Sequence, residues 1–192
     1  WEVRFPRLVI ALAVGAGLGC AGALLQGIFA NPLAEPSIIG VSSGGAVFAS
    51  GLLAIASLAG VERSYGFLKW GTALAAFIGA LLTTLLVYSL SRVQGKTVVV
   101  NLILVGVAIN AMAGGFVTLF SFIGGTMAQS QVVFWQLGSL AGAGWSSAVI
   151  TLIITVIGIV IACLCAPKMD LLALGENQAR HCLLYTSDAA DD

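Results

Sequence analysis

The chain has very little charge. Asp, Glu, Lys and Arg make up 8% of its 192 residues, whereas soluble domains carry about 25%. The 8 basic residues balance the 8 acidic ones, so no basic stripe exists to track a phosphate backbone, and nucleic acid is excluded as a partner. Histidine occurs once, as His181, with no carboxylate or serine arranged to make it a catalytic base. Cysteine is also scarce. Cys20, Cys163 and Cys165 sit inside apolar runs, where a thiol behaves as a small hydrophobe. Cys163 and Cys165 flank one leucine, and no histidine or acid stands close enough to complete a metal site. These absences point away from an enzyme, a resident metal and a cofactor.

What fills the space is apolar. Hydrophobic residues reach 59% and mean hydropathy is +1.07, more than a water-exposed fold of this size can bury. The chain reads as an integral membrane protein, all-α, with five runs long enough to cross a hydrocarbon core of about 30 Å at about 1.5 Å per residue. The expected helices cover 8–30, 38–60, 70–90, 98–124 and 145–166, the first ended by Asn31-Pro32 and the last by Pro167-Lys168. Proline disfavours helix at the residue before it. Between the fourth and fifth runs, Phe134, Trp135 and Trp145 suit the headgroup level, so 131–140 reads as a short interfacial helix. The first residue is Trp1 and no signal-peptide layout follows, so the chain reads as a fragment.

Glycine is abundant, with 24 residues, and in lipid small residues let helix backbones approach. Ala11, Gly15, Gly19 and Ala23 recur every four residues, and Gly40 and Gly44 share that spacing. No Asp, Glu, Lys or Arg falls within a run, which argues against a carrier driven by protons or ions. Charge does not orient the chain. Arg4, Arg7, Arg63 and Lys69 fall on one side, Arg92, Lys96, Lys168 and Arg180 on the other.

Two segments imitate catalytic motifs. Gln94-Gly95-Lys96-Thr97 suggests a phosphate loop, but Leu90 stands where the earlier glycine is required. Ser42 and Ser43 in "GVSSGG" suggest a nucleophile elbow, yet no G-x-S-x-G and no nearby base accompany them. The polar stretch 169–180 fits either a solvated connecting helix or a docking element for a partner.

Several ordered blocks carry a family resemblance. Arg4-Phe5-Pro6-Arg7, "GALLQ", "NPLAEP" and "GVSSGGA" are followed by "NLILVGVAIN", "FWQLGSLAGAGW" and "LLALGENQAR". This succession, from Val3 to about Arg180, resembles the FecCD/BtuC family. These are the permease subunits of ATP-binding-cassette (ABC) importers for iron–siderophore, haem and vitamin B12. "GVSSGGA" departs slightly from the usual form of its block. The tail 181–192, with His181 and Cys182, departs fully and reads as a non-native scar.

The resemblance implies a helical permease of about ten membrane helices, of which this chain holds about five. It implies a homodimer or pseudo-dimer in the bacterial inner membrane, with an ABC ATPase and an extracytoplasmic substrate-binding protein as partners. It puts Arg4 and Arg7 outside, as docking residues for the binding protein. It puts the "NPLAEP" turn inside, with Asn31 and Leu33 at a cytoplasmic gate opposite Val99 and Val100. The path would follow Asn101 and Asn110, and 169–180 would couple to the ATPase through Leu174, Gly175, Glu176, Ala179 and Arg180. A secondary transporter or a structural membrane protein is the alternative that the residues alone leave open.

Overall fold

The computed structural model describes residues 1–29, 31–32, 34–60, 65–93, 96–97 and 99–173. Among these are six α-helices: α1 (Arg4–Phe29), α2 (Val41–Leu58), α3 (Tyr65–Leu90), α4 (Val99–Ile123), α5 (Gly125–Leu137) and α6 (Trp145–Ala173). A 3-10 turn at Pro36–Ile39 precedes α2, and a two-residue antiparallel ladder joins β1 (Arg92–Val93) to β2 (Lys96–Thr97). Five of the helices are long and apolar enough to cross a membrane. The fold is an all-α transmembrane bundle. It divides into two compact units, one holding 1–35 with 140–192 and the other 36–139.

In the first unit α1 packs along α6. Helix α1 starts at Arg4 rather than at residue 8, so Arg4 and Arg7 lie within it. Pro6 explains this start, because proline fits the first helical turn, where its missing N–H has no partner to lose. The other end closes before Asn31-Pro32, with the Asn31 N–H donating to the Gln26 carbonyl at 3.2 Å, a bond that satisfies a terminal helix carbonyl. Helix α6 corrects the expected stop at residue 166: it continues through Pro167 to Ala173. Proline removes one backbone bond but does not have to end a membrane helix whose neighbouring groups satisfy the freed carbonyl. The expected coupling residues Leu174, Gly175, Glu176, Ala179 and Arg180, and the tail 181–192, lie outside the described residues.

In the second unit α2 packs on α3, α4 and α5. The run expected as one helix from 38 to 60 is broken. Pro36–Ile39 forms the 3-10 turn, and Gly40 then takes φ 83° and ψ 10° before α2 begins. That left-handed backbone favours glycine, and a Cβ at Gly40 would also press on Thr83 Cγ2 at 3.2 Å. Backbone meets backbone at two further places. A Cβ on Gly79 would stand 2.5 Å from the Gly44 carbonyl, and one on Gly44 would stand 2.6 Å from the Gly79 carbonyl. Gly106 of α4 lies directly under the Ile38 carbonyl. Leu102, Gly106, Ala113 and Val117 are the buried positions of α4, and their spacing of four and seven marks a single face.

Leu53, Val117 and Val132 form the core cluster where α2, α4 and α5 meet. Helix α5 begins at Gly125, six residues before the expected interfacial helix, because the chain turns at once at Gly125, whose φ is 75°. It ends at Leu137 because Gly138, at φ 71°, turns the backbone out of the helix.

Replacing Gly106 with valine should therefore destabilise the second unit by about 1–3 kcal/mol through overpacking. Gly115→Ala, where nothing lies within 4 Å of the new Cβ, should be neutral or slightly stabilising. Thermal unfolding of both variants in one detergent checks the contrast.

Candidate functional site

The candidate site begins at Asn110, half-buried on the packed side of α4. Its Nδ2 donates to the Ser37 carbonyl at 3.1 Å, and its Oδ1 accepts from Ser43 Oγ at 2.6 Å. The Ser37 carbonyl fixes which way the amide points, since a flipped amide would set oxygen against oxygen. Ser43 Oγ also lies 3.0 Å from the Gly40 carbonyl. A hydroxyl has one proton, and the shorter contact to Asn110 claims it. Asn110 thus holds both sides of the Gly40 break, the 3-10 turn through Ser37 and α2 through Ser43. It stands one helical turn beyond Gly106, the residue on which the same 3-10 turn rests.

Beside this clamp lies a cleft of about 340 Å³, with Ser43, Asn110, Thr118 and Gln136 as its polar lining and Ala113 and Val117 among its apolar lining. Every polar group there is neutral. The cleft can exchange hydrogen bonds with a neutral or hydrated solute, but it offers no charge to trap one. Among the described residues no group of His, Cys, Asp or Glu could hold a metal ion. Cys20, Cys163 and Cys165 are free thiols.

The other expected site residues fall in both units. Asn31 is exposed and its carbonyl accepts the Ala34 N–H at 3.1 Å; Leu33 lies outside the described residues. Val99 and Val100 open α4 with 37% and 63% exposure, and Asn101 follows, half-buried. Asn31 belongs to the first unit and Val99, Val100 and Asn101 to the second. Arg4 is exposed. Arg7 is half-buried, and its Nη2 donates to the Ala141 carbonyl at 2.9 Å, tying the start of α1 to the connection before α6. Sequence reasoning missed Ser37, Ser43, Thr118 and Gln136. Ser43 was visible only as a false nucleophile; a serine at the head of the small residues Gly44-Gly45-Ala46 gives no sign of its partner 67 positions away.

Comparison with known proteins decides the family. Residues 1–182 match the profile of the FecCD transport family. The chain belongs to the FecCD transport family. Among curated relatives, it is 36% identical over 177 residues to the cobalamin import system permease protein BtuC of Halobacterium salinarum, covering 92% of this chain and 45% of that protein. It is 32% identical over 181 residues to the hemin transport system permease protein HmuU of Yersinia pestis, covering 94% and 52%. A solved structure described as an inward-facing conformation of a metal-chelate type ABC transporter matches with a TM-score of 0.79 and 30% identity, over 98% of this chain and 57% of that one. The chain therefore spans about half the length of the curated relatives it matches.

Removing the clamp should loosen the Gly40 break. Asn110→Ala and Ser43→Ala should each lower stability by about 1–3 kcal/mol, because a buried polar partner loses its bond. The double variant should cost less than the sum of the two, since both changes remove the same contact. Detergent unfolding of the four-member cycle measures the coupling, and strict additivity would show that Asn110 and Ser43 act independently.

Proposed function

We propose that this chain is a membrane-spanning part of an ABC importer permease that moves a metal chelate or tetrapyrrole, of the iron–siderophore, haem or cobalamin kind, into the cytoplasm. The observation that carries this reading is the FecCD match over residues 1–182, together with relatives named as cobalamin and hemin permeases. The neutral polar lining at Ser43, Asn110, Thr118 and Gln136 supports it, because a wide pathway for a bulky cargo works best when binding is weak. The permease sits in the cytoplasmic membrane as a homodimer or pseudo-dimer. ATP hydrolysis belongs to a separate ATPase subunit, and cargo arrives on an extracytoplasmic binding protein.

Within that frame Asn31, Leu33, Val99 and Val100 form the cytoplasmic gate, and Asn101 and Asn110 line the path. Arg4 is the better candidate for direct docking of the binding protein, since Arg7 already donates to Ala141. Leu174, Gly175, Glu176, Ala179 and Arg180 belong to the coupling segment, which links the ATPase to the gate as an element that both sites bias. Leu174 is its apolar anchor in the ATPase groove.

In the complete permease, Gly175→Trp should leave expression and binding-protein docking intact and abolish ATP-dependent uptake into vesicles. Uptake at the parent rate, with the ATPase still bound, would reduce 169–180 to a mere connection. Reversing Arg4 and Arg7 to Glu should slow binding-protein association and weaken its salt dependence, because rim charges set encounter rates. Association kinetics across a salt series decide that point. Uptake assays with a ferric siderophore, haem and cobalamin identify the cargo, and uptake that persists without the ATPase would overturn the importer reading.

A further inference from the structure

The protons in the cleft beside Asn110 are already spoken for. Ser43 donates its hydroxyl proton to Asn110 Oδ1 at 2.6 Å, and Thr118 donates its own to the Gly114 carbonyl at 2.9 Å. A hydroxyl has one proton and two lone pairs, so both groups offer only lone pairs to the cleft that they line. Asn110 Oδ1 keeps a second lone pair. One Asn110 N–H goes to the Ser37 carbonyl at 3.1 Å, which leaves its second N–H and the Gln136 amide as the donors. Acceptors therefore outnumber donors, and no Lys, Arg or His lines the cleft among the described residues.

Depth sharpens the consequence. Asn110 lies near the middle of the membrane span Val99–Ile123, where an unpaired charge costs most. A carboxylate there would meet lone pairs and no cation. An amide edge fits instead, since its N–H finds an acceptor at Ser43, Asn110 or Thr118 and its carbonyl finds the Gln136 amide. Ala113 and Val117 are the buried apolar part of the lining. At about 340 Å³ the cleft is near the lower limit of small-molecule sites, so it admits an edge of a bulky chelate and not the whole. Binding leaves no proton stranded. If a ligand N–H takes Asn110 Oδ1 from Ser43, the Gly40 carbonyl, 3.0 Å from Ser43 Oγ, accepts the released hydroxyl.

We propose that this cleft selects a chelate whose uncharged edge carries amide N–H donors and discriminates against one that presents carboxylates. The inference rests on the importer reading above and narrows its cargo by chemistry. Thr118 and Gln136 are the specificity-determining residues, Thr118 as an acceptor and Gln136 as the position whose charge sets which edge is accepted.

The test uses the complete importer in vesicles. Cyanocobalamin and a ferric cyclic-peptide hydroxamate supply amide N–H donors; haem and ferric citrate supply carboxylates. An amide-bearing chelate should be taken up. Uptake confined to haem or ferric citrate overturns the proposal and leaves the importer reading standing, whereas ATP-dependent uptake of none of them overturns both. The transported chelate is then compared with its derivative in which one peripheral amide is hydrolysed to a carboxylate. Each variant is read as its amide-to-carboxylate ratio of kcat/KM divided by that of the parent, so that selectivity of the binding protein cancels. Thr118→Val keeps the side-chain shape and removes the lone pairs. It should lower uptake of the amide form about fivefold, as for one neutral hydrogen bond, and lower that of the carboxylate form less, because the two changes share a contact. Gln136→Lys should move the ratio about tenfold toward the carboxylate, as for a charged bond, and Gln136→Met should not move it that way. Gly115→Ala, outside the cleft lining, should leave the ratio unchanged. A ratio that neither Thr118→Val nor Gln136→Lys moves overturns the proposal. Gel filtration and ATPase co-purification confirm assembly, and the exposed Gln136 keeps the test decisive if Thr118→Val fails to fold.

Discussion

The second unit depends on backbones that touch. In a bilayer, lipid tails are as apolar as leucine, so helices gain little by hiding side chains from their surroundings and must associate through close packing and hydrogen bonds. Gly44 and Gly79 bring α2 and α3 to backbone contact, and Gly106 brings α4 up to the carbonyl of Ile38. These approaches put Asn110 within reach of both Ser37 and Ser43. If the helices stood one methyl group further apart, the amide could not span the Gly40 break, and the carbonyls of a 3-10 turn inside a membrane protein would lose a partner they cannot replace from lipid.

The same scarcity of solvent governs the remaining polar groups. Ser50, Thr84 and Ser121 each return their hydroxyl proton to a carbonyl three or four residues back, at Val47, Ala80 and Val117. Such bonds make a hydroxyl inert within its own helix. Ser43 and Ser57 are different, because they bond across elements, Ser43 to Asn110 and Ser57 to the Gly124 carbonyl at 2.8 Å. Between them they pin the two ends of α2. One end carries the Gly40 break and the other meets the joint between α4 and α5. A displacement of α2 is therefore felt at the middle of α4, through Asn110, and at its C-terminal joint, through Gly124, a physical basis for moving this unit as one piece.

Much of the fold was legible because length and hydropathy report a membrane span directly. Helix α4 differs from its expected limits by one residue at each end. The failures have a common cause. The break at Gly40 cannot be read from an apolar run that continues through it, because it is imposed by Thr83, Gly106 and Asn110 from other elements. The early start of α5 is hidden in the same way, since Gly125 resembles every other glycine until its φ is known. Pro167 misled in the opposite direction: a rule drawn from helices in water assigned a stop at residue 166 where α6 runs on to Ala173. The coupling role proposed for 174–180 rests on family resemblance alone, since "ALGENQAR" contains nothing that composition separates from a solvated connecting segment.

Periodicity was also a poor guide to which glycines pack. The four-residue repeat of Ala11, Gly15, Gly19 and Ala23 is the most regular small-residue stripe in the sequence, yet no heavy atom of its own unit lies within 4 Å of a Cβ placed on Gly15 or Gly19. Gly44, Gly79 and Gly106 do the packing, and they come from three different helices with no shared spacing. A repeat describes one helix face, whereas a close approach is a property of two backbones at one point. Glycine in a helix interior costs about 1 kcal/mol relative to alanine. In the second unit backbone contact at those three positions offsets that cost. In α1 no contact within its unit does so at Gly15 or Gly19, and the stability of that helix rests on its packing against α6 and on the bilayer around it.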